Sequence, residues 1–441
     1  MNDRCNRLKN RWPIGFWGAL VIGVLMSTAW MPVAASSESP EYETWTVQQA
    51  VEQALESPAV EERLQARVDS ARAEEARDDV WPNPEVEYGR EQIFAGPGEE
   101  VENTWSLSQR FPLSGRLNLM GEAARIRAES VEFETDTRRR EMATEVRRAF
   151  FDVLQEQQRL DIYARAIDEL EATQQLMERR VDAGESSSYE LERLRRKRAD
   201  LRSEEAAAEA RLARHRSLLS GWLATDSDES QEAVIRASGQ LLPDEPPSDS
   251  RLRDLVAEQP DIRAMERELE ALGYDQRAAS RWWIPDLTLR GGLQTETGGG
   301  DRSYGYVAGI GLSIPLWDRR QGERQSVAAD RIEMNHQREF TEQTRVAEVL
   351  GIAREIRRLQ RAYEDYGVDG VERAERILDT ATSSYRNGEA TILELVDAYR
   401  GQVDAELRRL ELAAECRTSA LELREHIGDA TTSRTSSSER D

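Results

Sequence analysis

Two stretches of this chain pass from strand to helix in the same way, 203 positions apart. In the later one, Tyr304, Tyr306, Ala308, Ile310, Leu312 and Ile314 share one parity, while Gly305, Val307, Gly309, Gly311 and Ser313 share the other. A period of two predicts a strand with one large apolar face and one mostly small face. Pro315 ends the ladder because it has no N–H to donate. After Asp318 the apolar period becomes helical. The same join occurs from Trp105 to Arg116, around Pro112. Pro82 and Pro285 are also 203 positions apart.

Helices of unusual length follow each join. From Ser114 to about Ala183 there is no proline, and Gly121 is the one interior glycine. Apolar residues recur there at threes and fours, as at Val146, Phe150, Val153, Leu154 and Leu170. About 69 helical residues span roughly 100 Å, more than a globular domain needs. The turn around Gly184 leads into a second helix that returns to Gly221. The programme then repeats, and the turn at Asn387-Gly388-Glu389 falls 204 positions after Gly184. A tandem duplication is therefore expected. The first repeat takes residues 36–224, with a short helix from Trp45 to Leu55, strands at about 84–111 and a helical hairpin at 114–222. Residues 225–250 read as an acidic, proline-rich linker, with room for one short strand between Val234 and Leu242. The second repeat takes 251–428, with strands at about 286–315 and a hairpin at 319–427 whose first helix runs unbroken to about Arg386. Residues 429–441 are Ser/Thr-rich and expected to be disordered.

Composition removes several classes. One third of the residues are charged and mean hydropathy is −0.71, which excludes a polytopic helical membrane protein. A formal charge of −24 argues against a nucleic-acid partner. Residues 1–35 have the order of a secretory signal: Arg4, Arg7, Lys9 and Arg11, then an apolar core from Ile14 to Met26, then Val33-Ala34-Ala35. Loss of those four basic residues and Asp3 would take the charge from −24 to −27. Cys5 leaves with that segment, so Cys416 is expected to be a buried, inert thiol.

Four strands cannot close a barrel, and an open sheet edge cannot sit in lipid with its backbone groups unpaired. Strands meeting lipid must therefore share a barrel with other copies. Two chains would give eight strands and three would give twelve, and the pattern alone does not choose. Tyr88, Trp105, Phe111, Tyr304, Tyr306 and Trp317 near strand ends fit interfacial girdles, although a soluble β-sandwich rim would use such residues too. The helices are too charged to cross a bilayer and must project into water.

The motifs Ser108-Gln-Arg-Phe-Pro-Leu-Ser-Gly-Arg116, Gly311-Leu-Ser-Ile-Pro-Leu-Trp-Asp-Arg-Arg-Gln-Gly322, Val181-Asp-Ala-Gly-Glu185 and Tyr385-Arg-Asn-Gly-Glu389 resemble those of the TolC family of outer-membrane efflux channels. The first two look most like the CzcC/CusC branch, which exports heavy metals. The resemblance covers nearly all of the chain after residue 35. It implies a mainly α fold with a small membrane β part, in which three chains share a twelve-stranded barrel above a periplasmic α-helical tunnel. It also implies a homotrimer in outer-membrane lipid, a periplasmic adaptor (membrane fusion protein) and an inner-membrane RND pump. Channels of the CusC type carry a lipidated N-terminal cysteine, and this chain has none after residue 35.

By that resemblance, Glu394 and Asp397 match acidic residues that narrow the tunnel near the second tip. At i and i+3 they share a helix face. Carboxylates ~5 Å apart at an effective dielectric near 20 repel by about 3 kcal/mol, which favours a bound cation or raised pKa values. In the first repeat Glu190 matches Glu394, and Arg193 stands where Asp397 does. Ordinary solvated helix charge is the competing reading of all four. Ala183, Gly184, Glu185, Ser186, Asn387, Gly388, Glu389 and Ala390 are the expected adaptor-docking tips. Pro112, Gly115, Pro315 and Asp318 mark the expected junction of barrel and tunnel. His215, His336 and His426 are isolated, so no metal site or cofactor is read from the chain. There is no P-loop, H-E-x-x-H or G-x-S-x-G, and thus no enzyme signature. A conduit for drugs or for type I protein secretion, and a soluble periplasmic coiled-coil scaffold, remain the alternatives to metal efflux.

Overall fold

The computed structural model describes residues 42–78, 80–95, 98–223, 234–298 and 301–428. The expected signal at 1–35 and the tail at 429–441 lie outside the described residues. The first repeat consists of β1 (Tyr42–Thr46), α1 (Val47–Leu55), α2 (Pro58–Asp78), β2 (Glu85–Ala95), β3 (Gly98–Pro112), α3 (Arg116–Asp182) and α4 (Ser188–Leu223). The second consists of β4 (Val234–Ser238), α5 (Asp249–Ala257), α6 (Pro260–Ser280), β5 (Asp286–Gly298), β6 (Asp301–Ser313), α7 (Gln321–Tyr366), a π turn (Gly367–Val371), α8 (Glu372–Arg386) and α9 (Ile392–Ile427). The 67 residues of α3 make one helix about 100 Å long. No described helix is long and apolar enough to cross a membrane.

Two sheets join the repeats. In one, β1 and β4 pair in parallel, from Tyr42 with Val234 to Thr46 with Ser238. In the other, β2, β3, β5 and β6 lie in that order, antiparallel throughout, so the β3–β5 ladder is the seam between repeats. Register makes this sheet two-faced. Tyr88, Trp105, Leu293 and Tyr306 are partners in one row across all four strands, and Phe111, Leu287 and Leu312 form a row nearer the helices. Tyr306 is 84% exposed and Ile310 76%, so this apolar face has no cover among the described residues. The opposite face carries polar rows, including Glu91, Glu102, Glu296 and Ser303.

The helices pack through their apolar stripes. Phe150, Leu170, Leu194, Leu219 and Leu395 are fully buried in a core shared by α3, α4 and α9. A second cluster joins α5, α7 and α9 and encloses Cys416, whose thiol is pushed up to about 11 by burial. That is the behaviour of an inert packing residue.

Three expectations need correction. The first helix begins at Val47, not Trp45, because Trp45 belongs to β1 and Thr46 caps the helix in a reciprocal pair with Gln49. The helix expected from Arg319 to Arg386 starts at Gln321 and is interrupted by the π turn. There Gly367 leaves room for the Arg409 guanidinium, which stacks 4.6 Å from the Tyr363 ring centroid. From Val234 onward the inter-repeat stretch is not a free tether. Gln157 bonds both backbone groups of Ala237, and Arg417 donates to the carbonyls of Gln240 and Leu241. Gln360 donates to the Pro243 carbonyl and Arg357 to that of Pro247. Outside any ladder, these carbonyls take side-chain donors instead.

Candidate channel tips and membrane junction

The two helical turns at the far end are built alike. Gly184 and Gly388 have φ of 74° and 77°, a left-handed conformation that glycine adopts without a Cβ penalty. Glu185 N donates to Arg180 O at 2.8 Å, and Glu389 N donates to Ser384 O at 2.8 Å. Both turns therefore close their helices by the same six-residue bond. Ala183, Gly184 and Glu185 are exposed and Ser186 is half-buried, as are their counterparts Asn387, Gly388, Glu389 and Ala390 in the same order.

The next helix starts with a capping box in each repeat. Ser187 N donates to the Glu190 carboxylate at 3.3 Å, and Glu190 N donates to Ser187 Oγ at 3.3 Å. Thr391 donates to the Glu394 carboxylate from its backbone N at 2.7 Å and its hydroxyl at 3.0 Å, while Glu394 N donates back to Thr391 Oγ1 at 3.4 Å. These bonds hold the Glu394 carboxyl below the usual carboxylate range, the backbone bond foremost. Glu190 and Glu394 thus act locally as helix caps. Asp397 and Arg193 line one groove of about 720 Å³ between α4 and α9, together with Tyr189 and Arg400. Arg193 donates to Tyr189 Oη at 3.0 Å and makes no ion pair with Asp397 among the described residues.

Two tyrosines that sequence reasoning did not select tie the second hairpin to the first. Tyr385 is buried, and its hydroxyl donates to Met177 Sδ at 3.2 Å. Tyr399 Oη lies 2.8 Å from Thr173 Oγ1. Burial, as the leading cause, raises the pKa of both phenols, so each stays a neutral hydroxyl that can donate. Arg165 adds an ion pair to Glu406 at 2.7 Å. The available signal was periodicity: each tyrosine falls on the apolar stripe of its helix.

At the other end, Pro112 closes β3 and Pro315 follows β6. Gly115 caps α3 with φ 61°, and Arg281 Nη1 donates to the preceding Ser114 carbonyl at 2.9 Å. In the second join the left-handed cap is Arg320, φ 49°, two residues beyond Asp318. The Asp318 carboxylate accepts the Arg320 backbone N–H at 2.9 Å. Arg116 and Glu323 pair at 2.5 Å, fastening the start of α3 to the start of α7.

A family model described as outer membrane efflux protein matches residues 50–224 and 252–429. The chain belongs to the outer membrane efflux protein family. Among similar proteins of Cupriavidus metallidurans, the nickel and cobalt resistance protein CnrC is 26% identical over 321 residues, covering 63% of this chain and 68% of its own. The cobalt-zinc-cadmium resistance protein CzcC is 24% identical over 356 residues, covering 79% and 82%. A solved structure of CusC superimposes with a TM-score of 0.69 at 18% identity, over 87% of this chain and 92% of that one. Within this efflux family fold the two-faced sheet stands at one end of the long helices and the paired tips at the other. Two of the three histidines have simple partners: His215 lies 3.6 Å from Asp152 and His336 lies 3.4 Å from Glu339.

Proposed function

We propose that three copies of this chain form the outer-membrane conduit of a tripartite efflux system, and that its cargo is heavy-metal cations. The observation that carries this reading is the sheet. One face is apolar and exposed, the other is polar, and the edges β2 and β6 have no partner among the described residues. Lipid would satisfy the apolar face, and neighbouring copies would satisfy the edges. Three copies supply twelve strands, with the polar rows lining the lumen. The charged helices would extend the passage through the periplasm. Their tips would meet a periplasmic adaptor, which couples the conduit to an inner-membrane RND pump.

The cargo is inferred from the names of CnrC and CzcC. The glutamate row at Glu91, Glu102 and Glu296 supports it, since an acidic lumen concentrates cations. At the tips, Asp397 and Arg193 face the groove that an opening movement would reshape. Glu190 and Glu394, which also cap their helices, are gate candidates beside Asp397 and Arg193.

A deletion strain should lose tolerance to nickel, cobalt, zinc or cadmium, and the intact gene should restore it. Unchanged metal tolerance with new sensitivity to drugs would replace metal cargo by drug cargo. A heat-modifiable trimer in the outer-membrane fraction would exclude a soluble coiled-coil scaffold.

A further inference from the structure

The end of the sheet that meets the helices carries features that conduction does not use. Each chain crossing there exposes a large apolar side chain: Trp81 before β2, Leu113 after β3, Trp283 before β5 and Trp317 after β6. Trp317 is 86% exposed. Trp81 packs edge-on against Phe111, 5.9 Å between ring centroids, in the last apolar row with Leu287 and Leu312.

Arginines crowd the same boundary in a chain whose formal charge is −24. Arg319, Arg320 and Arg324 follow Trp317 within seven residues. The Arg324 guanidinium lies 5.5 Å from the Trp282 ring centroid. Arg319 donates from Nε to the Leu316 carbonyl at 3.4 Å and makes no ion pair among the described residues. The nearby carboxylates are engaged: Glu323 is shared by Arg116 at 2.5 Å and Arg320 at 3.4 Å, and Asp318 accepts the Arg320 backbone N–H. Arg320 also holds a left-handed φ of 49° at the cap position where the first repeat has Gly115. A side chain is disfavoured there and glycine is not. An outlier kept at the structural position its repeat fills with glycine points to a use for the side chain.

We propose that Arg319, Arg320 and Arg324, with the rings of Trp282, Trp283 and Trp317, bind the phosphates of anionic phospholipid headgroups in the periplasmic leaflet of the outer membrane. The proposal rests on the membrane-barrel reading above. Tryptophan settles at the level where acyl chains meet headgroups, which brings the adjacent guanidinium groups level with the phosphates. Guanidinium matches phosphate oxygens in a two-pronged geometry. A zwitterionic ethanolamine headgroup would bring its own ammonium into this cationic cluster, whereas a glycerol headgroup would not.

The test titrates phosphatidylglycerol and phosphatidylethanolamine of equal acyl chains onto the delipidated full-length trimer and counts retained lipid by native mass spectrometry. Wild type should prefer phosphatidylglycerol by about fivefold or more, the scale set by one basic residue at an anionic surface. The variant Arg319→Gln/Arg320→Gly, which restores the first repeat's own cap residue, should lose most of that preference. Arg302→Gln, at the far end of β6, should keep it. If the double variant does not assemble, Arg319→Gln alone carries the comparison. Equal retention of the two lipids by wild type would overturn the proposal, as would a preference that survives in the double variant. Displacement of bound lipid by soluble glycerol phosphate would also overturn it, in favour of a free-phosphate site. A chain that never enters the outer-membrane fraction fails the barrel reading itself; an intact trimer without lipid preference fails only this proposal.

Discussion

Gly115 and Arg320 hold the same left-handed backbone conformation, φ 61° and 49°, each as the cap residue of the first long helix in its repeat. A non-glycine residue gives up about 1–2 kcal/mol in that region. Arg320→Gly should therefore leave thermal stability unchanged or raise it by up to about 1 kcal/mol, once the looser unfolded chain is counted. Gly115→Ala should lower it by about 1–2 kcal/mol. Its Cβ would also come 2.7 Å from Arg281 Nη1, which donates to Ser114. Thermal denaturation of the detergent-solubilised protein measures both.

Tyr399 and Tyr385 hold the second hairpin against the first through Thr173 and Met177. Tyr399→Phe should weaken this contact between hairpins by about 0.5–1.5 kcal/mol, the net value of one hydrogen bond. Tyr385→Phe removes a weaker bond to sulfur and should do less. In planar bilayers the double variant should show a larger or more often open conductance. Wild-type conductance would show that these contacts do not limit opening.

The Glu394 carboxyl is depressed in the folded protein by its bonds from Thr391. Its cap is therefore fully formed above the unfolded carboxylate pKa of about 4.3 and is lost as pH falls through the lower folded value. The Thr391 amide, which donates to that carboxylate, should show a high exchange-protection factor at neutral pH that falls in acid. Glu394→Gln should flatten that dependence.

A Cβ on Gly370 would approach the Tyr366 ring to 2.7 Å. Gly370→Ala should displace that ring or convert the π turn into ordinary helix, and overpacking of this kind costs about 1–3 kcal/mol. A conversion would rotate α8 and its tip relative to α7. Exchange protection across Gly367–Val371 and cross-linking between the tips would report it.

Glu91, Glu102 and Glu296 are register partners on the polar face. Replacing all three by Gln should reduce the cation preference of the reconstituted conduit, read as a smaller reversal potential across a salt gradient. The anion-to-cation ratio should be unaffected if that face is not the lumen.

Much of this was legible because it is written in periodicity. Alternation from Tyr304 to Ile314 marks β6, and long apolar stripes bounded by Gly184 and Gly388 mark the hairpins. What distance in sequence conceals was not legible. The partner of Trp45 in β1 is Ala237, 192 positions away, so Trp45 read as the start of a helix. The π turn had a trace in Gly367 and Gly370, but the Arg409 side chain that packs against Gly367 comes from another helix. The capping boxes were readable: Ser187 and Thr391 each stand three residues before a glutamate. Resemblance drew attention to Glu394 as a gate, and the local geometry uses its carboxylate first as a cap.

The two free edges of the sheet come from different repeats, β2 from the first and β6 from the second. In the proposed ring, a neighbour meeting one edge offers the other, so the contact is head-to-tail and the ring has a direction. Such a ring has no two-fold axis between neighbours, and each added copy leaves one new edge open until the last meets the first. In the proposed trimer, a peptide that added a strand to either edge would leave the ring unable to close, even though copies could still join at the other edge.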